Sequence, residues 1–175
     1  MFSSPKEILL ITIGEIDTTL IEELSKSLST ILRLRCRLGH ISTPPLRAYD
    51  PSRGQYLADA VLANLHPGEA ERVLGIVEVD IFMPDLNFVF GLADEKGKRA
   101  IISLARLKES FYKQPEDQSL LIERAIKEAL HEVGHTYGLA HCRTRRCVMA
   151  FSNSVVDVDY KDADFCYSCK QSLRA

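Results

Sequence analysis

His131-Glu132-Val133-Gly134-His135-Thr136-Tyr137-Gly138-Leu139-Ala140-His141-Cys142 decides more about this chain than any other stretch. On a helix, residues four apart share a face and stand roughly 6 Å apart along the axis. His131 and His135 can therefore aim their imidazoles at one metal ion. Glu132, one residue on from His131, stays within reach of a water bound to that ion. Were the helix to continue, His141 would lie about 240° around the axis from His135 and face away. The chain has to leave the helix in between, and Gly138 can take the left-handed, helix-ending conformation without steric cost. His141 then swings back as a third ligand. Three protein ligands leave a fourth position for water, which marks a catalytic zinc rather than a structural one. Two histidines four apart can arise on a helix by chance. The longer pattern, His-Glu-x-x-His-x-x-Gly-x-x-His, is far more specific.

The 175 residues predict one domain, and a composition 46% hydrophobic and 26% charged suits a globular chain with a sizeable core. A formal net charge of -2 gives no basic surplus for binding nucleic acid. Arg143, Arg145 and Arg146 form a short basic cluster, read as a solvated loop rather than an anionic site. No run approaches the ~20 apolar residues that span a membrane. Lys6 and Glu7 precede only a short apolar run, which is not the form of a secretory signal. The expectation is a cytoplasmic monomer without a propeptide, with no nucleic-acid or membrane partner and with reduced cysteines.

Upstream of the motif the pattern alternates strand and helix. Residues 8–13 are a continuous apolar run ended by Gly14, as in a strand buried on both faces. Asp17 and the threonines after it offer N-cap chemistry, and Leu20, Ile21, Leu24, Leu28, Ile31 and Leu32 recur at helical spacing. A second strand is predicted over 34–40, completing a β-α-β unit and so a parallel pair. Pro44, Pro45 and Pro51 make 43–54 a loop. Helical periodicity returns over 55–65, and 73–82 reads as a third strand. Strands over 86–92 and 100–104 are joined by a turn at 94–98, too short for anything but an antiparallel pair. Residues 116–137 are the long active-site helix. The expected sheet is five-stranded and mixed, with 86–92 as its antiparallel edge. That edge either holds an extended peptide by strand addition or is simply covered by a loop.

Four of the five cysteines follow the histidine motif: Cys142 and Cys147, then Cys166 and Cys169. Two close pairs separated by a longer gap suit a structural zinc with four thiolate ligands. A short tail after Gly138 cannot build a core of its own, and a bound metal can supply ~10 kcal/mol or more to such a segment. Disulfides and free thiols are the competing readings, and a reducing compartment argues against the first. Cys36, in a predicted strand, reads as a buried, inert thiol. Because Cys142 directly follows His141, the cysteine site is expected to steady the third histidine.

The long histidine motif followed by a methionine in a turn, Met149 in Cys147-Val148-Met149-Ala150-Phe151, resembles the metzincin clan of zinc-dependent proteases. With the four cysteines interleaved, residues 131–175 look like the archaemetzincin family. The resemblance implies an α/β (α+β) metzincin-like fold: a twisted five-stranded mixed sheet above a cleft and a smaller subdomain below it. Here these would be residues 1–138 and 139–175 of a single catalytic domain. It implies a catalytic zinc on His131, His135 and His141, and a second zinc on Cys142, Cys147, Cys166 and Cys169. It also implies Met149 as a hydrophobic floor and peptide or protein substrates laid along the edge strand at Asn87, Phe88, Val89, Phe90 and Gly91. One departure stands out: some clan members carry a catalytic tyrosine two residues after the turn methionine, and here that residue is Phe151. The chemistry expected is peptide hydrolysis with Glu132 as general base and acid. Two alternatives remain: an inactive zinc-dependent peptide-binding module, and a purely structural two-zinc protein. Retention of Glu132 argues against the first, because binding needs no base.

Overall fold

The computed structural model describes residues 6–174. In chain order the elements are β1 (Glu7–Ile13), α1 (Thr18–Leu32), β2 (Arg35–Ile41), β3 (Tyr49–Asp50), β4 (Gln55–Leu57), α2 (Ala58–Leu62), β5 (Arg72–Val77), β6 (Ile81–Phe82), β7 (Gly91–Asp94), β8 (Arg99–Ser103), α3 (Gln118–Thr136), α4 (Val155–Tyr160) and α5 (Tyr167–Arg174). The main sheet runs β2-β1-β5-β8-β7. Its first four members are parallel, and β7 is the antiparallel edge, in register Gly91 to Ile102 and Asp94 to Arg99. This is the expected five-stranded mixed sheet.

The parallel strands are apolar because both faces are covered. Ile8, Leu10, Leu74, Ile76, Ala100 and Ile102 face α1 and α3, with Leu20, Leu24, Leu28, Ala125, Ala129 and Val133 opposite them. The other face, with Val73, Val77 and Ile101, packs on Val61, Leu62 and Leu65. Asp17 caps α1 and Asp117 caps α3, each accepting from the backbone N–H three residues on at 3.1 and 2.9 Å.

Three predicted elements differ. Residues 55–65 are not one helix: Gln55–Leu57 form a strand, and α2 that follows has five residues. Tertiary pairing overrides the helical pattern there, because Tyr56 pairs with Tyr49 on one side and Ile81 on the other. The run 73–82 is not one strand either. It leaves the main sheet after Val77 and resumes as β6 in a three-stranded sheet, β3-β4-β6. Ser103 donates its hydroxyl to the Val79 carbonyl at 2.7 Å, across the bend between the two.

The antiparallel edge strand exists, but it is displaced toward the turn. Only Gly91 and Leu92 of the expected 86–92 belong to it, and residues 86–90 run outside regular strand structure. Their backbone is engaged elsewhere. Arg53 donates to the carbonyls of Leu86 and Asn87 at 2.8 and 3.0 Å, and Val89 bridges antiparallel to Ile81. The turn between β7 and β8 falls where expected, closed by Gly97 N–H to Asp94 Oδ1 at 3.0 Å. Cys36 is half-buried on β2 and hydrogen-bonded to Ser29 and to the Ser25 carbonyl. Among the described residues, no helix is long and apolar enough to cross a membrane.

Candidate active site

Helix α3 runs 19 residues and delivers His131, Glu132 and His135 before it stops. The stop is a Schellman turn. Leu139 N–H reaches back to the Gly134 carbonyl at 3.2 Å, Gly138 N–H reaches His135 at 2.9 Å, and Gly138 has φ +82°. The chain reverses there and brings His141 round to the other two. Its ring centroid lies 5.3 Å from that of His131 and 4.9 Å from that of His135.

Backbone carbonyls fix the tautomers. His131 Nδ1 meets the Val148 carbonyl at 2.8 Å, and His135 Nδ1 meets the Leu139 carbonyl at 2.7 Å. A carbonyl oxygen only accepts, so each Nδ1 carries the hydrogen and each Nε2 is left with a bare lone pair. Those two Nε2 atoms face each other at 3.1 Å. Two lone pairs so close repel unless a cation lies between them. A tetrahedral site with metal–nitrogen bonds of ~2.0–2.1 Å has ligand atoms about 3.3 Å apart, close to this spacing. One ligand atom from each of the three histidines falls within 4.8 Å of the others. Burial, assisted by the Lys161 cation, pushes His131 down to about 3, and burial also lowers His135 and His141. The rings are thus neutral, as ligands must be.

Glu132 is buried beside them, its carboxyl pushed well above the ordinary range by desolvation and by the neighbouring Glu128, and eased by Lys161. It lies against β7 at a point where no side chain could intervene. A Cβ on Gly91 would stand 2.5 Å from Glu132 Cγ. Met149 lies under the helix, where a Cβ on Gly134 would meet its Sδ at 2.5 Å. Phe151 tilts against His141 with centroids 5.0 Å apart.

The cleft above these residues has a volume of about 470 Å³. Asn87, Phe88, Val89, Phe90 and Gly91 all line it, together with Glu132 and the three histidines. The expected rim is therefore present even though most of it is not strand. A connected set of side chains holds it from behind. Arg53 stacks on Phe82 at 4.0 Å, Gln55 donates to Asp80 and to the Asn87 carbonyl, and Arg106 grips Asp80 with two bonds of 2.8 Å.

Below the histidines, Cys142, Cys147, Cys166 and Cys169 converge, their sulfurs within 4.8 Å of one another. The pairs Cys142–Cys166 and Cys147–Cys169 are each 3.8 Å apart, far beyond the ~2.05 Å of a disulfide. A tetrahedron with metal–sulfur bonds of ~2.3 Å has edges of about 3.8 Å. The donor set and its spacing fit zinc. The Cys169 N–H draws Cys166 down to about 7, while burial raises Cys147 and Cys169. Cys142 N–H bonds the Met149 carbonyl at 2.9 Å, tying this cluster to the turn under the histidines. Arg143, Arg145 and Arg146 are exposed; the last two lie over Tyr160 and Arg146 also pairs with Asp162, a solvated loop as expected.

The contributors not anticipated include Glu128 and Lys161 beside Glu132, the set of Arg53, Gln55, Asp80, Phe82 and Arg106 behind the rim, and Ser152 in the cleft lining. Glu128 carried a signal, standing four residues before Glu132 and so on the same helix face.

A mixed sheet with an antiparallel edge, a three-histidine site at the end of its long helix and a methionine turn beneath define a metallopeptidase of the metzincin type. The sequence comparisons make this specific: residues 45–175 match the description of peptidase family M54, and the chain belongs to that family. It is 44% identical over 162 residues to an archaemetzincin of Methanocaldococcus jannaschii, covering 93% of this chain and 89% of that one. Among solved structures it resembles an archaemetzincin from Methanopyrus kandleri (TM-score 0.85, 37% identity, 99% of this chain and 96% of that one). It also resembles a zinc-dependent peptidase from Methanocorpusculum labreanum (TM-score 0.86, 31% identity, 95% and 99%).

Proposed function

We propose that this chain hydrolyses peptide bonds at a zinc ion held by His131, His135 and His141, with Glu132 as general base and then general acid. A second zinc, held by Cys142, Cys147, Cys166 and Cys169, is structural: its four thiolates close the shell and leave no position for water. The catalytic ion, when bound, supplies a polarised carbonyl and an attacking water of lowered pKa. The chain's own groups do the rest.

The carbonyls of Val148 and Leu139 hold two imidazoles with their Nε2 lone pairs directed at one point. Glu132, dry and with its pKa raised by burial, is placed to accept a proton and return it to the leaving amine. The free edge of β7 offers backbone groups to an extended peptide, with Asn87–Phe90 continuing the rim. Met149 floors the site and the cysteine cluster steadies it from below. The reading is a single catalytic domain, 1–138 above the cleft and 139–175 below, in a cytoplasmic monomer. Nothing in its charge suits nucleic acid.

The observation that carries this proposal is the pair of unprotonated Nε2 atoms 3.1 Å apart with Glu132 next in sequence. Digestion of a proteome-derived peptide library tests it. Zinc-loaded protein is expected to cleave, and chelator and Glu132→Gln are each expected to abolish cleavage. Equal turnover by Glu132→Gln would remove the base assignment.

A further inference from the structure

One buried ion pair in the cleft shifts the titration of Glu132 and His131 but takes no step of its own in the hydrolysis described above. Glu128 lines the same cleft as Glu132, one helical turn earlier on α3. Its Oε1 accepts from Lys161 Nζ at 2.8 Å, and the two side chains are 4% and 1% exposed. Lys161 also reaches the Ala150 carbonyl at 3.5 Å, which ties the pair to the methionine turn. Ser152, two residues further on, lines the cleft too. Its Oγ is one of two buried side-chain polar atoms without a hydrogen-bond partner among the described residues. Phe88 and Phe90 share that lining and set their rings edge to face at 5.1 Å.

We propose that Glu128, held by Lys161, and the unpartnered Ser152 hydroxyl form the polar floor of a subsite that selects substrates by a neutral, hydrogen-bonding side chain, a glutamine or asparagine carboxamide. This rests on the reading of the cleft as a peptidase active site.

The argument is one of satisfiability. An ionised carboxylate offers about four lone-pair sites, and Lys161 takes one on Oε1. The others ask for N–H donors. A buried hydroxyl without a partner asks for either kind of group, and its need remains costly until something fills it. The aromatic rings ask for an apolar stem. A side chain with methylenes, an NH2 and a carbonyl meets all three demands: its amide donates to Glu128 and its oxygen accepts from Ser152. A lysine or arginine also has a stem and donors. However, Lys161 already neutralises Glu128, so a second cation would enter the subsite without a counter-charge of its own. A glutamate would face Glu128 directly. A norleucine fits the walls but leaves the floor unpaired, and sites built to hydrogen-bond reject analogues that lack the group far more strongly than apolar pockets reject a missing methylene.

The test is equilibrium binding of matched peptides to zinc-loaded Glu132→Gln protein, with glutamine, norleucine, lysine or glutamate placed at each position in turn. At one position glutamine is expected to bind at least about tenfold tighter than norleucine, the usual worth of a hydrogen bond to a charged group. The ratio should invert in the paired variant Glu128→Leu, Lys161→Met, which replaces the ion pair by apolar groups of similar volume and so keeps the fold. Ser152→Ala, which leaves the ion pair intact, should lower the ratio by itself even if the paired variant does not fold. Norleucine equal to or better than glutamine at every position, a preference for lysine, or a ratio indifferent to Ser152→Ala would each overturn the proposal. Failure of the peptidase reading shows separately, as absence of chelator-sensitive cleavage by the unsubstituted protein.

Discussion

Gly91→Ala is the perturbation whose consequence can be worked out most closely. The added Cβ would lie 2.5 Å from Glu132 Cγ, 2.8 Å from Glu132 Cδ and 2.6 Å from the Ile101 carbonyl oxygen. The Ile101 contact is with backbone in the adjoining strand and cannot be relieved by a rotamer change. β7 has to shift against β8, and Glu132 has to move off its seat or be carried with the change. Overpacking of this kind costs about 1–3 kcal/mol. At roughly 2–4 °C per kcal/mol for a chain of this size, the melting temperature should fall by ~2–12 °C. The kinetic loss should be larger than the stability loss, since a ~1 Å misplacement of a catalytic group can cost about 100-fold in rate. The crowded atoms belong to Glu132 and Ile101 and not to the histidines, so zinc affinity should hold. The assay is kcat and KM on one cleaved peptide, a thermal melt and a zinc titration on the same preparations. A kcat within about twofold of the parent, with an unchanged melt, would refute the claim that β7 seats the base.

Other predictions are simpler. Cys142→Ala removes one thiolate of the cysteine site, and with the metal weakened there the segment whose backbone N–H at 142 holds the Met149 carbonyl, beside the Val148 carbonyl that orients His131, should loosen, so zinc should weaken at the histidines as well as at the cysteines; competition with a chromophoric chelator reads both sites, and an unaffected histidine site would count against the coupling. Arg53→Ala releases the Leu86 carbonyl and leaves the Asn87 carbonyl to Gln55 alone, so KM should rise several-fold for peptides long enough to lie along that rim while kcat on short ones holds; an equal effect at all lengths would contradict it. Arg124→Met strips a buried guanidinium from Asp159, Glu109 and the Leu107 carbonyl, and thermal melts should show a loss of about 3 kcal/mol.

How far the sequence reached depended on how local each signal was. The histidine motif is a statement about one helix and its end, and α3 with its Schellman turn follows from residues 131–141 alone. The parallel strands were legible because burial on both faces leaves unbroken apolar runs, as at 8–13. Residues 55–57 were misread because their apolar spacing suits a helix, while their pairing partners, Tyr49 and Ile81, lie in other segments. The edge strand was placed too early for a related reason. Arg53, more than thirty residues upstream, takes up the carbonyls that the pattern at 86–90 left available. The Glu128–Lys161 pair joins residues 33 apart on different elements, and no periodicity announces it.

The most direct measurement is a crystal structure of the zinc-loaded protein with anomalous data on both sides of the zinc edge. The account predicts two peaks per chain: one among the four sulfurs, the other ~2.0–2.1 Å from a ring nitrogen of each of His131, His135 and His141, with a solvent oxygen completing the shell beside Glu132. A histidine peak missing His141, or sealed by a fourth protein side chain, would contradict it.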